Sequence, residues 1–257
     1  MSYINSHYAQ IYYNTHGKGD PTIFLHGLSD SSQFFKPLKN NITGIKAIQP
    51  DLRGHGESDH DVDISMELLT EDLINLLNEL HIKRANILGF SLGSLIAQNF
   101  ALEFPEHVKS LIICSGYSKC GHELSETFKK LEDLTSQGGV PAFFDEMIKL
   151  VYTKDYLLKH REIYGFKDMA VQTNSKAAVL KSLSICRTFD VESRLSEINV
   201  PTLIMYGSED ILVPPESSQK MHCKLTHSRI LSFPMGHNFF LQENIKKIAV
   251  EIQKFLI

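Results

Sequence analysis

The amino-acid sequence predicts an α/β fold, in which helices cover both faces of a mostly parallel sheet. Short apolar runs alternate along the chain with longer stretches whose apolar residues recur at helical spacing. Several of the short runs are apolar throughout, which is typical of strands that are buried on both faces. The chain has 257 residues, 42% of them hydrophobic and 22% charged, which suits one large domain with a modest insertion.

Seven runs have the length and the apolar character of strands, and they lie at residues 10–15, 22–25, 45–49, 86–90, 110–115, 202–206 and 229–233. Between them, apolar residues spaced three and four apart predict helices at residues 69–80 and 245–256. A third helix follows Ser91 and ends before Pro105, because proline has no backbone N–H with which to continue a helix.

The alternation of strands and helices stops between residues 119 and 195. This segment has no strand pattern and contains four helical stretches, at residues 123–136, 140–152, 155–164 and 176–186. A helical insertion between two strands of one sheet would lie over the sheet. We therefore predict a helical cap, or lid, at residues 119–195 and a core formed by residues 1–118 and 196–257.

Charge and cysteine content argue against several classes of protein. The net charge is −4 and Lys and Arg are scattered, whereas a protein that binds nucleic acid carries a basic patch. The four cysteines form no CxxC pair, which argues against a zinc site and a disulfide framework. The N-terminus does not resemble a signal peptide, and no apolar run approaches the roughly 18 residues of a membrane span. We expect a soluble cytoplasmic protein with a small-molecule substrate and no nucleic-acid or membrane partner; nothing indicates its oligomeric state.

The segment Gly89-Phe90-Ser91-Leu92-Gly93 matches the pattern G-x-S-x-G. It lies between a predicted strand and a predicted helix, which is the setting that this motif requires. The glycines leave room for a sharp turn that exposes the serine hydroxyl, which needs a nearby base to act as a nucleophile. We therefore predict that Ser91 is a catalytic nucleophile; the alternative is a serine in an ordinary turn that begins a helix.

A serine nucleophile needs a histidine base and a carboxylate that orients the base. Asp210 follows a predicted strand, and His237 lies between the last predicted strand and the last helix. Both would therefore lie on loops at strand ends, and we predict that both are catalytic. His222 and His227 compete for the role of base but fall on or after a polar helix, and Asp210 has the alternative of a plain turn residue.

The transition state of acyl transfer also needs hydrogen-bond donors for its oxyanion. We predict that these are the backbone N–H groups of Leu92, which follows the nucleophile, and of Leu28, in the loop after an early strand. Gly27 lets this loop approach closely, and we interpret His26 as a brace for the loop rather than a proton carrier.

These residues belong to a larger set of motifs, which is His26-Gly27, DLRGHGES at residues 51–58, GFSLG at residues 89–93, GSED at residues 207–210 and Gly236-His237. The set and the order Ser, Asp, His resemble the α/β-hydrolase superfamily, in particular small bacterial carboxylesterases and enol-lactonases with helical caps. The resemblance implies an eight-stranded, mostly parallel sheet flanked by helices, with a helical cap inserted after the sixth strand. Residues 51–58 are interpreted as a structural turn, so Arg53 and His55 are not assigned to catalysis.

The predicted function is that of a serine hydrolase, a carboxylesterase that cleaves a small or medium, largely apolar ester or lactone through an acyl-enzyme, with no metal or cofactor. The same triad serves carbon–carbon hydrolases, thioesterases and perhydrolases, and a slow-turnover ligand-sensing or signalling module of this fold is a further alternative. Six lid residues line an apolar pocket or pack the lid's own core, and they are Phe143, Phe144, Met147, Leu150, Val151 and Phe189.

Overall fold

A sheet of eight strands forms the centre of the protein. The computed structural model describes residues 2–39 and 41–256. The strands are β1 (Ser2–Ser6), β2 (Ala9–Gly17), β3 (Asp20–Leu25), β4 (Ile45–Pro50), β5 (Ala85–Phe90), β6 (Val108–Cys114), β7 (Thr202–Gly207) and β8 (Ser228–Phe233). They are ordered β1-β2-β4-β3-β5-β6-β7-β8; β2 is antiparallel to β1 and to β4, and the other neighbours are parallel. The predicted eight-stranded, mostly parallel sheet is confirmed.

Helices cover both faces of this sheet. Those in the described ranges are α1 (Lys36–Lys39), α2 (Met66–Glu79), α3 (Leu92–Glu103), α4 (His122–Val151), α5 (Lys154–Lys159), α6 (Lys167–Gln172), α7 (Lys176–Thr188), α8 (Pro215–Lys224) and α9 (Gln242–Leu256). One apolar layer joins the sheet to α2, α3 and α8, and a second joins it to α1 and α9. None of the helices in these ranges combines the length and the apolar character needed to span a lipid bilayer.

Strand β5 shows how the sequence builds both layers. All six of its residues are buried, and successive side chains point to opposite faces of the sheet. Ile87 packs into the layer with α2 and α3, whereas Leu88 and Phe90 pack into the layer with α1 and α9. A mostly apolar run therefore marks a strand with a helix on each side.

One strand, β1, has no counterpart among the seven predicted strands. It lies at the edge of the sheet, where Ile4 is buried and its neighbours on either side are exposed. The turn to β2 consists of His7 and Tyr8, both at positive φ (45° and 62°), in place of the Gly or Asn that signals such a hairpin turn. Neither the composition nor the turn of this hairpin therefore distinguishes it from a loop.

The segment between β6 and β7 contains helices α4 to α7. The two stretches predicted at its start form α4, in which Gly139 (φ 67°, ψ −163°) leaves the helical region and Pro141 follows in the next turn. The stretch predicted at residues 155–164 divides in two, because α5 ends at His160 (φ −123°, ψ 62°) and a 3₁₀ turn, Arg161–Phe166, follows. Helix α6 was not predicted, since Ala170 is its one buried residue and leaves no apolar stripe in the sequence.

The two ends of this helical segment pair with each other. Lys119 and Asp190 form an isolated antiparallel bridge, and their side chains form an ion pair of 2.7 Å. On either side of it, Cys120 N–H donates to Phe189 O (3.0 Å), and the N–H of residue 191 donates to the carbonyl of residue 118 (2.8 Å). The chain therefore leaves the sheet and returns to it at adjacent positions, where residues 118–120 pair with residues 189–191.

Candidate active site

Ser91 occupies a strained turn between β5 and α3. Its backbone lies at φ 52° and ψ −119°, and its N–H donates to Cys114 O at 2.9 Å. A Cβ atom on Gly89 would lie 2.2 Å from Gly93 O, and one on Gly93 would lie 2.1 Å from Leu25 O. Both glycines of the motif are therefore required by the close approach of neighbouring backbone.

The structure brings Ser91, His237 and Asp210 together in one hydrogen-bonded row. His237 Nε2 lies 2.9 Å from Ser91 Oγ, and His237 Nδ1 lies 2.7 Å from Asp210 Oδ2. The side chains of His237 and Asp210 are each only 1% exposed, whereas Ser91 is half-buried. Because Asp210 accepts a hydrogen bond from Nδ1–H, Nε2 is left free to accept the serine proton.

Three contacts hold the His237 loop in place between β8 and α9. Ser115 Oγ donates to His237 O at 2.7 Å, and Asn238 N–H donates to Val151 O, at the end of α4, at 2.9 Å. The N–H of residue 209 donates to the carbonyl of residue 235 at 2.9 Å, which ties this loop to the one that carries Asp210. The imidazole is thus positioned by strand ends and by the helical segment above them.

The competing histidines lie elsewhere. His222 is on α8, where its Nδ1 lies 2.7 Å from Ser228 Oγ, and His227 precedes β8. His237 follows the opposite, carboxyl end of β8. The two competitors therefore lie at the other end of the strand from Ser91.

The predicted oxyanion donors belong to the two loops beside Ser91. Within the described residues, the N–H groups of Leu28 and Leu92 donate to no protein acceptor. A Cβ atom placed on Gly27 would lie 3.3 Å from Ser91 Cβ, so the loop after β3 lies directly against the serine turn. Both N–H groups are thus available to a ligand, and their role as an oxyanion hole stays a prediction.

His26 braces the loop after β3, which contains Leu28. Its Nδ1 lies 2.8 Å from Gly27 O, and its Nε2 accepts a hydrogen bond from Leu52 N–H at 2.9 Å. Burial lowers the pKa of this fully buried imidazole, although the charge of Asp51 acts in the opposite direction. A neutral ring with both nitrogens occupied cannot carry protons for the reaction.

Residues 51–58 form a buried support for the end of β4. Asp51 accepts hydrogen bonds from Ser32 N–H (2.6 Å) and Glu57 N–H (2.8 Å). Arg53 is 1% exposed and forms a bidentate ion pair with a buried aspartate on α2. Burial is the main cause that lowers the pKa of His55 to about 3, so this imidazole is also neutral. These contacts are structural and include none with the triad.

The six apolar lid residues fall into two apolar clusters. Five of them join the large apolar cluster that also contains Leu28 and Leu92, and they are Phe143, Met147, Leu150, Val151 and Phe189. Phe144 instead packs against a small separate cluster formed by Ile148, Leu157 and Ile163. Most of the lid's apolar side chains therefore continue the layer that reaches the serine turn.

Three of the four cysteines offer no competing nucleophile. Burial raises the pKa of Cys114 well above its usual range, that of Cys186 to about 12 and that of Cys120 to about 11. The thiolate is the reactive form of cysteine, so these three side chains stay inert thiols. In the part of the chain that the structure describes, no group of three or more His, Cys, Asp or Glu side chains is arranged to hold a metal ion.

Three polar residues around the predicted triad were missed in the sequence. Asp30 lies in the loop after β3, Tyr152 follows α4, and Asn238 follows His237. Asn238 Nδ2 donates to the Tyr152 hydroxyl at 3.1 Å. Asn238 could have been found from its position next to the predicted base His237, whereas only the fold brings Tyr152 close to Asn238.

Fold and site together define the class of this protein. A family model for the alpha/beta hydrolase fold matches residues 20–154, slightly more than half of the chain. The chain belongs to the α/β-hydrolase superfamily, and it is a hydrolase of that fold.

Known relatives and solved structures agree with this class. The putative carbamate hydrolase RutD of Agrobacterium fabrum is 26% identical over 235 residues, which cover 88% of this chain and 90% of that protein. The enol-lactonase from Burkholderia xenovorans LB400 shares the fold with a TM-score of 0.92 and 20% identity over 99% of each chain. An esterase from Exiguobacterium antarcticum has a TM-score of 0.89 and 24% identity, covering 100% of this chain and 99% of that one.

Proposed function

We propose that this protein is a serine hydrolase in which Ser91 is the nucleophile, His237 the general base and Asp210 the carboxylate that orients the base. One observation carries the proposal: the hydrogen bonds from Ser91 Oγ to His237 Nε2 (2.9 Å) and from His237 Nδ1 to Asp210 Oδ2 (2.7 Å) form one continuous row. Such a row, directed at a serine in a strained turn, activates the hydroxyl for attack on a carbonyl carbon.

The reaction follows from the roles of these atoms. Ser91 Oγ attacks the carbonyl carbon while His237 Nε2 takes its proton, and Asp210 stabilises the imidazolium that forms. The N–H groups of Leu28 and Leu92 bind the oxyanion. His237 then gives the proton to the leaving alcohol, and a water molecule, activated by the same imidazole, releases the acid. No step uses a metal or a cofactor.

We infer that the substrate is a small or medium, largely apolar carboxylic ester or lactone. Leu28, beside the predicted oxyanion hole, shares one apolar cluster with Met147, Leu150 and Val151 of the helical segment. An apolar wall of this kind stabilises the hydrocarbon part of an ester by removing it from water.

We also propose that residues 119–195 act as a cap over a core formed by residues 1–118 and 196–257. The bridge and ion pair between Lys119 and Asp190 support these boundaries, because they join the two ends of the segment beside the sheet. The bond from Asn238 N–H to Val151 O supports a position of the cap beside the triad.

Hydrolysis of p-nitrophenyl esters of increasing acyl length tests the proposal, with the wild type compared with Ser91→Ala. We expect activity on short and medium chains, and a loss of at least about a thousandfold in kcat/KM in the variant. Activity that survives the substitution would mean that Ser91 is not the nucleophile. Absence of activity on every ester in the wild type would contradict the carboxylesterase function.

A second candidate, carbamate hydrolysis, is favoured by the name of the Agrobacterium fabrum relative, a putative carbamate hydrolase. The same attack by Ser91 applies, since a carbamate presents a carbonyl with an oxygen or nitrogen leaving group. Matched p-nitrophenyl carbamate and acetate separate the candidates. A higher kcat/KM for the carbamate, lost in Ser91→Ala, would favour this function; slow carbamylation without turnover would favour the esterase.

A further inference from the structure

The Asp30 carboxylate lies two residues beyond Leu28, in the loop after β3. The residue is half-buried, and its N–H donates to Gly27 O at 3.3 Å. Its Oδ1 accepts the N–H of Ser31 at 3.0 Å, and no other described residue bonds to or forms an ion pair with the carboxylate. A carboxylate that is partly withdrawn from water and has no cation beside it costs free energy, which points to a role toward a ligand.

The loop that holds Asp30 packs against the serine turn, because Asp30 N–H donates to Gly27 O and a Cβ atom on Gly27 would lie 3.3 Å from Ser91 Cβ. Burial raises the pKa of Tyr152, at the end of α4, to about 12, and the charge of Asp30 adds to this shift. The Tyr152 hydroxyl accepts a hydrogen bond from Asn238 Nδ2, and Asn238 is adjacent to His237. The loop that holds Asp30 and the Tyr152–Asn238 pair therefore both lie beside Ser91 and His237.

We propose that Asp30 sets the charge selectivity of this hydrolase, favouring esters that carry an ammonium group near the scissile bond over esters that carry a carboxylate. The inference rests on the proposed function, because it places the substrate beside Ser91. An anionic Asp30 attracts a cation strongly in a partly dehydrated site, and it repels a carboxylate by the same interaction.

Burial raises the pKa of Asp30 to about 7, and the charge of Asp51 raises it further, whereas the hydrogen bond from Ser31 N–H lowers it. Asp30 is therefore about a tenth ionised at pH 6 and about nine-tenths ionised at pH 8. The other titratable groups around this site are Tyr152, His26, Asp51 and His237. Burial raises the pKa of Tyr152 to about 12, so it stays neutral over this range, and burial lowers the pKa of His26, which favours its neutral form. An effect that is common to all substrates cancels in a ratio between them.

The experiment uses two series of aliphatic esters, one varied in the alcohol and one in the acyl chain. Each series contains a trimethylammonium ester, its tert-butyl isostere and a carboxylate ester of similar size, and kcat/KM is measured in a pH-stat. Wild type is compared with Asp30→Asn and with Asp61→Asn, which removes the same charge at an exposed position.

In wild type at pH 8, we expect kcat/KM for the ammonium ester to exceed that for the carboxylate ester by about tenfold or more in at least one series. Asp30→Asn should reduce this ratio to within about threefold and leave the tert-butyl ester within about threefold of wild type, while Asp61→Asn keeps the wild-type ratio. The wild-type ratio should also fall several-fold from pH 8 to pH 6, a measurement that needs no variant.

A ratio that stays the same in Asp30→Asn, or that does not change between pH 6 and pH 8 in wild type, would overturn the inference. The tert-butyl ester separates this outcome from a failure of the proposed function. If wild type does not hydrolyse it, or if Ser91→Ala still does, the serine-esterase mechanism is wrong and the inference falls with it.

Discussion

Asp210 uses its two carboxylate oxygens for different purposes. Oδ1 accepts the N–H groups of Leu212 and Val213, both at 2.9 Å, and Oδ2 lies 2.7 Å from His237 Nδ1. The two backbone bonds fix the plane of the carboxylate, so that Oδ2 has one orientation. This orientation decides which nitrogen of His237 carries the proton.

We expect Asp210→Asn to lower kcat for ester hydrolysis by about three to four orders of magnitude without unfolding the protein. The amide oxygen retains the two backbone N–H groups, so the amide NH₂ faces His237 Nδ1. The imidazole proton must then move to Nε2, where the ring no longer accepts the proton of Ser91. The measurement is kcat together with thermal unfolding, with Asp61→Asn as the control; activity within tenfold of wild type would mean that another group orients His237.

The sequence indicated that Ser91, Asp210 and His237 would lie together because each follows a strand, and strand ends are marked by apolar runs. The motif around Ser91 adds a second signal, since its glycines are required by close backbone contacts. Asp30 and Tyr152 were not indicated in this way. Their positions depend on how the loop after β3 and the end of α4 fold, which no local pattern encodes.

At the scale of elements, Arg53 joins three parts of the chain that meet at one edge of the sheet. Its Nε and Nη2 atoms lie 2.7 and 2.6 Å from the carboxylate oxygens of Asp72 on α2. Its Nη1 donates to Asp63 O at 2.9 Å, and Nη2 also donates to Ser6 O, at the end of β1, at 3.4 Å. A buried guanidinium is tolerated only because all of these acceptors are in place.

We expect Asp72→Asn to lower the free energy of unfolding by about 3 kcal/mol, because it leaves the buried Arg53 charge without its counter-ion. Unfolding in urea, followed by circular dichroism, measures the change. The control is Asp63→Asn, which removes an ion pair between Lys181 and a 93% exposed carboxylate and should have a much smaller effect. Similar small changes in both variants would mean that other groups compensate Arg53.

The inner strands of the sheet were predicted, whereas β1 and α6 were not. The inner strands are mostly apolar and buried, so their composition indicates them. Strand β1 and helix α6 each bury a single apolar residue, Ile4 and Ala170 respectively. Strand β8 also buries only one residue, Phe233, and was predicted from its short apolar run. Strand β1 and helix α6 have no such run, and they owe their structure to the neighbours against which they pack.

In the molecule as a whole, packing divides the helical segment between β6 and β7 into two parts. Helices α4 and α7 share the large apolar cluster with the sheet. Helix α5 and the 3₁₀ turn after it rest instead on the small cluster of Ile148, Leu157 and Ile163. The exposed apolar side chains also concentrate in this part of the chain, and they include Leu158, Tyr164, Phe166, Met169 and Val171. This segment therefore has one half packed on the large cluster, formed by α4 and α7, and a weakly supported half, formed by residues 154–172.

We expect the weakly supported half, residues 154–172, to open before the rest of the cap. In hydrogen–deuterium exchange, peptides from this region should exchange at least about tenfold faster than peptides from α7, because local opening breaks the small cluster and polar contacts such as the Lys167–Asp145 ion pair but leaves the large apolar cluster intact. Helix α7 is a matched control, since it belongs to the same insertion but buries Val179 and Leu183 in the large cluster. Equal protection of both would mean that the cap opens as one unit. A substrate would then reach Ser91 only when the large apolar cluster separates from the sheet, and the cost of that separation would limit turnover.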